Sequence, residues 1–136
     1  MGPVGTYAVS LSNPLRQVLG AGPARSGVHH WWVQRLTALA LVPLSIWFAV
    51  SILALPGFDH VTVTAWMGQA WTALLLVLFV LIAAWHSKLG LQVIVEDYVH
   101  AAGAKTLLLV LSAFIHVLAA AAAVFAVLKV ACGGGA

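Results

Sequence analysis

Three long apolar runs dominate this 136-residue sequence and leave few folds open to it. They occupy about residues 36–55, 66–99 and 106–130, and each reaches the roughly 20 residues that an α-helix needs to cross a bilayer. Apolar residues make up 63% of the chain and charged residues only 7%, which is unlike a soluble domain. The sequence therefore predicts an all-α membrane protein with three transmembrane helices.

The other segments are short and polar by comparison. Residues 1–25 contain several Gly and Pro residues and predict a loose extramembrane tail. Residues 26–131 are predicted to form the three-helix anchor domain, and residues 132–136 form a short C-terminal tail.

Turn residues separate the three predicted spans. Pro56-Gly57 ends the first span, and Gly103 marks the turn before the third. Thr62 or Thr64 is predicted to cap the second helix. No proline interrupts 65–99, so this stretch predicts one helix of about 35 residues, roughly 50 Å long, which exceeds the hydrocarbon core.

The basic residues predict the orientation in the membrane. Five of the six Lys and Arg residues fall on one side of the predicted spans, and only Lys129 falls on the other. Cytoplasmic loops carry the excess of basic residues, so the N-terminus and the second turn are predicted to be cytoplasmic. A net charge of +3 on so apolar a chain does not indicate a nucleic-acid partner, and Cys132, the single cysteine, excludes an internal disulfide.

Most of the polar chemistry lies at residues 84–100. This stretch holds two of the three acids and two of the six histidines. Ionisable groups at membrane depth are costly, so a functional site is the default interpretation. His86 lies 11 residues before Asp97, about 16 Å deeper along a helix and on nearly the same face. A buried neutral imidazole at this depth, with Gly90 one turn away, suits a haem axial ligand, or it bonds to a neighbouring helix.

His116 on the third span competes with His86 for this role. It lies 11 residues from Lys105 and so at a comparable depth, with Ser112 one turn away. The residue types allow two interpretations, a second ligand or a histidine that only packs beside a cofactor.

Polar residues also cluster at the predicted cytoplasmic interface. Tyr98 and Asp97, with Glu96 and His100 beside them, offer a hydrogen-bond donor and proton relays, as a quinone site requires. The alternative is interfacial anchoring, since tyrosine is common at this depth.

Two further polar residues precede the first span. Arg35, with His29 six residues earlier, could pair with a carboxylate such as a haem propionate. The alternative is a side chain that snorkels to lipid phosphates.

Two motifs resemble a known family. Gly27-Val28-His29-His30-Trp31-Trp32-Val33-Gln34-Arg35 resembles the start of the hydrophobic membrane anchor subunit of succinate dehydrogenase in its bacterial form. His86, followed by the stretch from Gly90 to Val99 that contains Asp97-Tyr98, resembles the second motif of that subunit, with the same spacing from the histidine to Asp-Tyr. The resemblance covers about residues 26–130.

The resemblance implies half of a heterodimeric anchor bundle in the bacterial inner membrane. It implies a haem b shared with a cytochrome b556-type anchor subunit, with His86 as one axial ligand and His29 and Arg35 near the propionates. It also implies ubiquinone bound near Tyr98 and Asp97, with the chemistry of succinate oxidation in partner flavoprotein and iron–sulfur subunits.

The resemblance leaves two residues and two alternatives open. His116 and Lys88 match no functional position of the family. The alternatives are the cytochrome subunit of a related fumarate reductase and a cofactor-free membrane scaffold in which the histidines only tie helices together.

Overall fold

A computed structural model describes residues 24–133, with side chains from residue 27. Within that range the chain forms helices and no strands, as the sequence predicts. The helices are α1 (Ala24–Leu53), α2 (His60–Gly68), α3 (Ala70–Tyr98) and α4 (Ala102–Cys132). Three stretches are long and apolar enough to cross a membrane, at Gly27–Leu53, Ala70–Tyr98 and Ala102–Cys132. Nearly all of the predicted tail over residues 1–25 lies outside the described residues.

The chain divides into two compact units, residues 1–32 and 33–136. The described part of the first unit is the beginning of α1. There the rings of Trp31 and Trp32 meet edge to face, with their centroids 5.1 Å apart. Paired tryptophans with apolar rings and polar N–H groups suit the interface between headgroups and hydrocarbon.

The second unit contains a small core at one end of the helices. Ala73 and Leu76 of α3 and Val127 of α4 are buried together there, and Trp47 and Trp66 pack against them. The Trp47 and Trp66 rings stack with centroids 6.3 Å apart, which fixes α2 against α1. Large aromatic rings bury much area at low entropy cost, so they hold the short helix α2 in place.

A carboxylate begins α2. The Asp59 side chain accepts hydrogen bonds from the Thr62 backbone N–H at 3.0 Å and from the Thr62 hydroxyl at 2.7 Å. Asp59 is thus the N-cap, and the prediction of a cap at Thr62 or Thr64 is wrong because both threonines lie inside the helix. These bonds, the Thr62 hydroxyl first, lower the pKa of Asp59. The carboxylate therefore supports this helix end above its ordinary pKa, and that support is lost as pH falls through the lowered value.

The second apolar stretch is not one uninterrupted helix. Gln69 has extended backbone angles, φ −68° and ψ 127°, and separates α2 from α3. Gly68 ends α2, and glycine is a poor helix former. The Gln69 carbonyl instead accepts from the Ala73 N–H at 2.9 Å and starts α3. The predicted helix of about 35 residues is thereby shortened to 29, still about 43 Å long.

The turn between α3 and α4 lies at residues 99–101, before Gly103. The Lys105 ammonium donates a hydrogen bond to the Glu96 carbonyl at 3.0 Å. This bond occupies one of the carbonyls left without an intrahelical partner at the end of α3. Gly103 lies inside the helix α4, in its first helical turn. The sequence predicted a loop at Gly103, but the loop between α3 and α4 lies just before it.

Apolar side chains cover the outside of these helices. Leu53 is 83% exposed and Leu39 is 71% exposed, and Phe114 on α4 is similarly open. A soluble monomer rarely exposes so much continuous apolar surface. Lipid and partner helices are the environments in which such a surface is stable.

Candidate functional site

The His86 imidazole contacts α1. Its Nδ1 atom lies 2.9 Å from the Thr37 hydroxyl oxygen. The same hydroxyl lies 2.8 Å from the Val33 carbonyl oxygen and 3.0 Å from that of Gln34. A half-buried histidine of α3 is thus tied to the first span through one threonine.

The hydrogen bonds of Thr37 determine which ring nitrogen of His86 carries the proton. A hydroxyl has one proton to donate. The Thr37 hydroxyl donates it in a hydrogen bond to the Val33 carbonyl, which can only accept. The hydroxyl oxygen then accepts from the Nδ1–H group of His86. In the opposite tautomer Thr37 would have to give up its carbonyl bond. Of the two neutral tautomers, the network therefore favours the one with the proton on Nδ1 and the lone pair on Nε2.

Nε2 of His86 remains open in this arrangement. No hydrogen bond reaches it from the described residues 27–133, and the atom is not buried. A histidine with Nδ1–H donated to an oxygen and a free Nε2 has the form of a metal-ligating imidazole. The residues present at this position fit a haem axial ligand.

Gln34 occupies the position next to Gly90. A Cβ atom added to Gly90 would lie 3.6 Å from the Gln34 side-chain nitrogen. The Gln34 amide of α1 thus lies in van der Waals contact with the position that a side chain at residue 90 would occupy. The side-chain amide oxygen of Gln34, Oε1, is buried and has no hydrogen-bond partner within the described chain. A buried amide without a partner is unfavourable, so this position suits a donor from outside the chain.

His116 is engaged at both ring nitrogens. Nδ1 lies 2.7 Å from the Ser112 carbonyl oxygen, so Nδ1–H donates to it. Nε2 lies 3.1 Å from the Ser87 hydroxyl, which donates to it across the α3–α4 contact. Since the Nε2 lone pair is occupied, His116 acts as a tie between helices. The two histidines that the sequence left in competition therefore differ in their hydrogen bonds.

The predicted quinone residues lie at the end of α3. Tyr98 is the last residue of the helix and is 78% exposed, and Asp97 beside it is also exposed. Glu96 accepts a hydrogen bond from Gln92 at 2.8 Å. Tyr98 follows His86 by 12 residues, about 18 Å along the helix, so these side chains form two separate sites.

The two residues predicted for the haem propionates lie on α1. His29 is exposed and belongs to the first unit of the chain. Arg35 is exposed and lies two residues before Thr37 in the second unit.

Thr37, Gln34 and Ser87 were not predicted to belong to the site. Each is a polar side chain at or near membrane depth, the same signal that identified His86. Their partners lie on other helices, however, and apolar runs carry no information about which helix faces meet.

A protein-family comparison matches residues 10–127, well over half of the chain, to the succinate dehydrogenase/fumarate reductase transmembrane subunit. The chain belongs to this family. The match includes His86, Tyr98 and His116, and the anchor-subunit resemblance of the two sequence motifs is confirmed.

Individual members of the family are described as succinate dehydrogenase hydrophobic membrane anchor subunits. The one from Rickettsia bellii is 38% identical over 57% of this chain and 62% of its own length. The one from Paracoccus denitrificans is 27% identical over 88% of this chain and 92% of its own length. The chain thus covers less than two thirds of the length of the Rickettsia bellii relative. No solved structure matches the chain.

Family membership and the three apolar helices agree on location. This family member is a multi-pass protein of the bacterial inner membrane, as the sequence predicts.

Proposed function

We propose that the chain is the membrane anchor subunit of a succinate:ubiquinone oxidoreductase, which links the tricarboxylic acid cycle to the respiratory chain. It shares a haem b and the ubiquinone-reduction site with a second anchor subunit, an iron–sulfur subunit and a flavoprotein. The observation that carries this proposal is the open Nε2 atom of His86, whose ring is fixed through Nδ1 by Thr37. The printed names of the relatives support the choice of complex.

His86 is the haem ligand that this chain contributes. When bound, the haem supplies a one-electron redox centre inside the membrane. The Thr37 oxygen accepts a hydrogen bond from Nδ1–H of His86, which would leave the Nε2 lone pair available to a haem iron. Arg35 and His29 are the residues proposed to pair with the propionate carboxylates.

Tyr98 and Asp97 form the quinone end of the site. The exposed Tyr98 hydroxyl donates a hydrogen bond to a ubiquinone carbonyl, which gains negative charge as electrons arrive from the iron–sulfur subunit. The neighbouring Asp97 carboxylate and His100 relay protons from the cytoplasmic side. Succinate oxidation takes place in the partner subunits.

Removing the Thr37 hydroxyl should change the haem without removing its ligand. Thr37→Val keeps the side-chain shape but leaves Nδ1–H of His86 without its acceptor. A residue that hydrogen-bonds to a metal-ligating side chain typically contributes 10–100-fold to the affinity for the metal. We therefore expect about tenfold weaker haem retention and a shifted midpoint potential of the haem. The measurement is a redox titration of the haem spectrum in the purified complex.

Two variants control this experiment. Thr37→Ser keeps the hydroxyl and should restore the potential of the wild-type protein. Thr106→Val removes a hydroxyl that donates a hydrogen bond to the Ala102 carbonyl of its own helix, and it should leave the haem unchanged. Equal potentials in Thr37→Val and the wild type would mean that Thr37 does not orient His86.

Affinity purification tests the assignment to the complex. The chain, tagged at one terminus and expressed from its native locus, should copurify with a flavoprotein, an iron–sulfur subunit and a second anchor, identified by mass. The preparation should reduce ubiquinone with succinate. Copurification without a flavoprotein, or without any haem absorbance, would contradict the proposed function and favour a scaffold.

A further inference from the structure

An apolar groove runs between α3 and α4. Its volume is about 360 Å³. Small side chains on α4 leave this space open, and its lining includes Leu81, Ala84, Trp85, Ala120, Ala121 and Val124. The groove lies along helices that span the membrane, so hydrocarbon is the medium available to fill it.

Lys88 lines this groove and a second one beside it. The second groove has a volume of about 270 Å³ and is more polar, since Gln92 of α3 and Ser112 of α4 also line it. Among the described residues, Lys88 is the only Lys, Arg, Asp or Glu in either lining. Along the α3–α4 contact, the Lys88 ammonium therefore lies between the apolar groove and the more polar groove.

The Lys88 ammonium lies near the ring of Trp85. Its Nζ atom lies 5.2 Å from the centroid of the Trp85 ring, one turn earlier. Lys88 precedes Tyr98 by 10 residues, which places its Cα about 15 Å from that helix end. A cation held at membrane depth is costly unless it has a partner of opposite charge. The chain contains three acids, and none of them lines either groove.

The groove is separate from the proposed haem ligand. His86 and Lys88 are two residues apart, about 200° around α3. His86 contacts Thr37 on α1, whereas Lys88 lies along the contact with α4. A second anchor that approached the His86 side would therefore leave the Lys88 side available to lipid.

We propose that the α3–α4 groove binds one anionic phospholipid. Its phosphate pairs with the Lys88 ammonium, next to Gln92 and Ser112, and an acyl chain lies along Ala84 and Ala120 in the apolar groove. Basic pockets between membrane helices recognise anionic headgroups in this way. A packed helix from another subunit fits less well, because its apolar face would bury the Lys88 charge without an anion.

Lipid retention measured by native mass spectrometry tests this proposal. The complex that contains the full chain is reconstituted in nanodiscs of phosphatidylcholine and phosphatidylglycerol and then released into detergent. The mass of the released complex shows which lipids remain bound. We expect preferential retention of phosphatidylglycerol by the wild type. Lys88→Gln should reduce that retention about fivefold, the contribution typical of one basic residue near anionic lipid.

Matched variants make the result specific. Lys129→Gln removes one charge outside both grooves and should retain phosphatidylglycerol like the wild type. Ala120→Leu keeps the Lys88 charge but fills the apolar groove, and it should also lose the lipid. Equal losses in Lys88→Gln and Lys129→Gln, or equal retention of the two lipids by the wild type, would overturn the proposal.

Two further measurements complete the test. The first shows whether a lipid or a protein subunit occupies the groove, and the second shows whether the Lys88 substitution disturbs the haem. In a Cys132→Ser background, Ala121→Cys should react slowly with a lipid-soluble maleimide in the intact complex and faster after delipidation, because the bound acyl chain covers this position. Protection that persists after delipidation would show a protein subunit in the groove and overturn the proposal. The haem spectrum and subunit masses of Lys88→Gln should match the wild type. Lipid loss with an unchanged spectrum therefore tests this site independently of the proposed haem function.

Discussion

Replacing His86 with Ala in the assembled complex should remove the low-spin haem signal, whereas replacing His116 with Ala should preserve it. His86 offers a free Nε2 lone pair, but Nε2 of His116 accepts from the Ser87 hydroxyl. Loss of the ligand should lower haem occupancy by more than about tenfold, since even outer-shell partners contribute 10–100-fold. The measurement is the reduced-minus-oxidised visible spectrum, normalised to the flavin of the same preparation.

The His116 variant should instead weaken the α3–α4 contact. A hydrogen bond between membrane helices contributes about 0.6 kcal/mol on average, so the expected loss of thermal stability is small. Ser87→Ala removes the other partner of the same bond and should lower stability by a similar amount. Loss of haem in His116→Ala with retention in His86→Ala would reverse the assignment of the two histidines.

Tyr98→Phe should slow ubiquinone reduction while leaving succinate oxidation intact. The substitution keeps the ring and removes only the hydroxyl, which is exposed at the end of α3. Losing one hydrogen bond to a carbonyl that becomes charged should cost about 1–3 kcal/mol, or roughly five- to 150-fold in turnover. Steady-state rates with a ubiquinone analogue measure this effect.

Controls separate the quinone step from the rest of the complex. Succinate oxidation with an artificial acceptor that bypasses the quinone should keep its wild-type rate. Tyr7→Phe makes the same change at the other tyrosine of the chain and should have no effect on either assay. A wild-type rate and affinity for ubiquinone in Tyr98→Phe would make Tyr98 an interfacial anchor.

The sequence predicted the helical class and the three spans because length and hydropathy are properties of each segment alone. The break at Gln69 escaped prediction, since it depends on one glycine, Gly68, in an otherwise unbroken apolar pattern. The Asp59 cap was assigned to a later threonine for a similar reason. Local signals of this kind shift a helix boundary by a few residues without changing the fold.

The site could be predicted only in part. The free-energy cost of placing an ionisable side chain at membrane depth identified His86 and His116 as candidates. The residues next to each histidine in the sequence did not show which of them binds a haem. Their difference lies in Thr37 on α1 and Ser87 on α3, and it depends on how the helices pack. Lys88 was noticed without a role, because the groove beside it exists only once α3 and α4 are side by side.

Chemical rescue tests the central claim, that His86 supplies a haem ligand, most directly. In the complex carrying His86→Gly, the low-spin spectrum should be lost and then restored by free imidazole, which enters the space left by the missing side chain. Imidazole should have no effect on the spectrum of His116→Gly. A wild-type low-spin spectrum in the His86→Gly complex before imidazole is added would contradict the account.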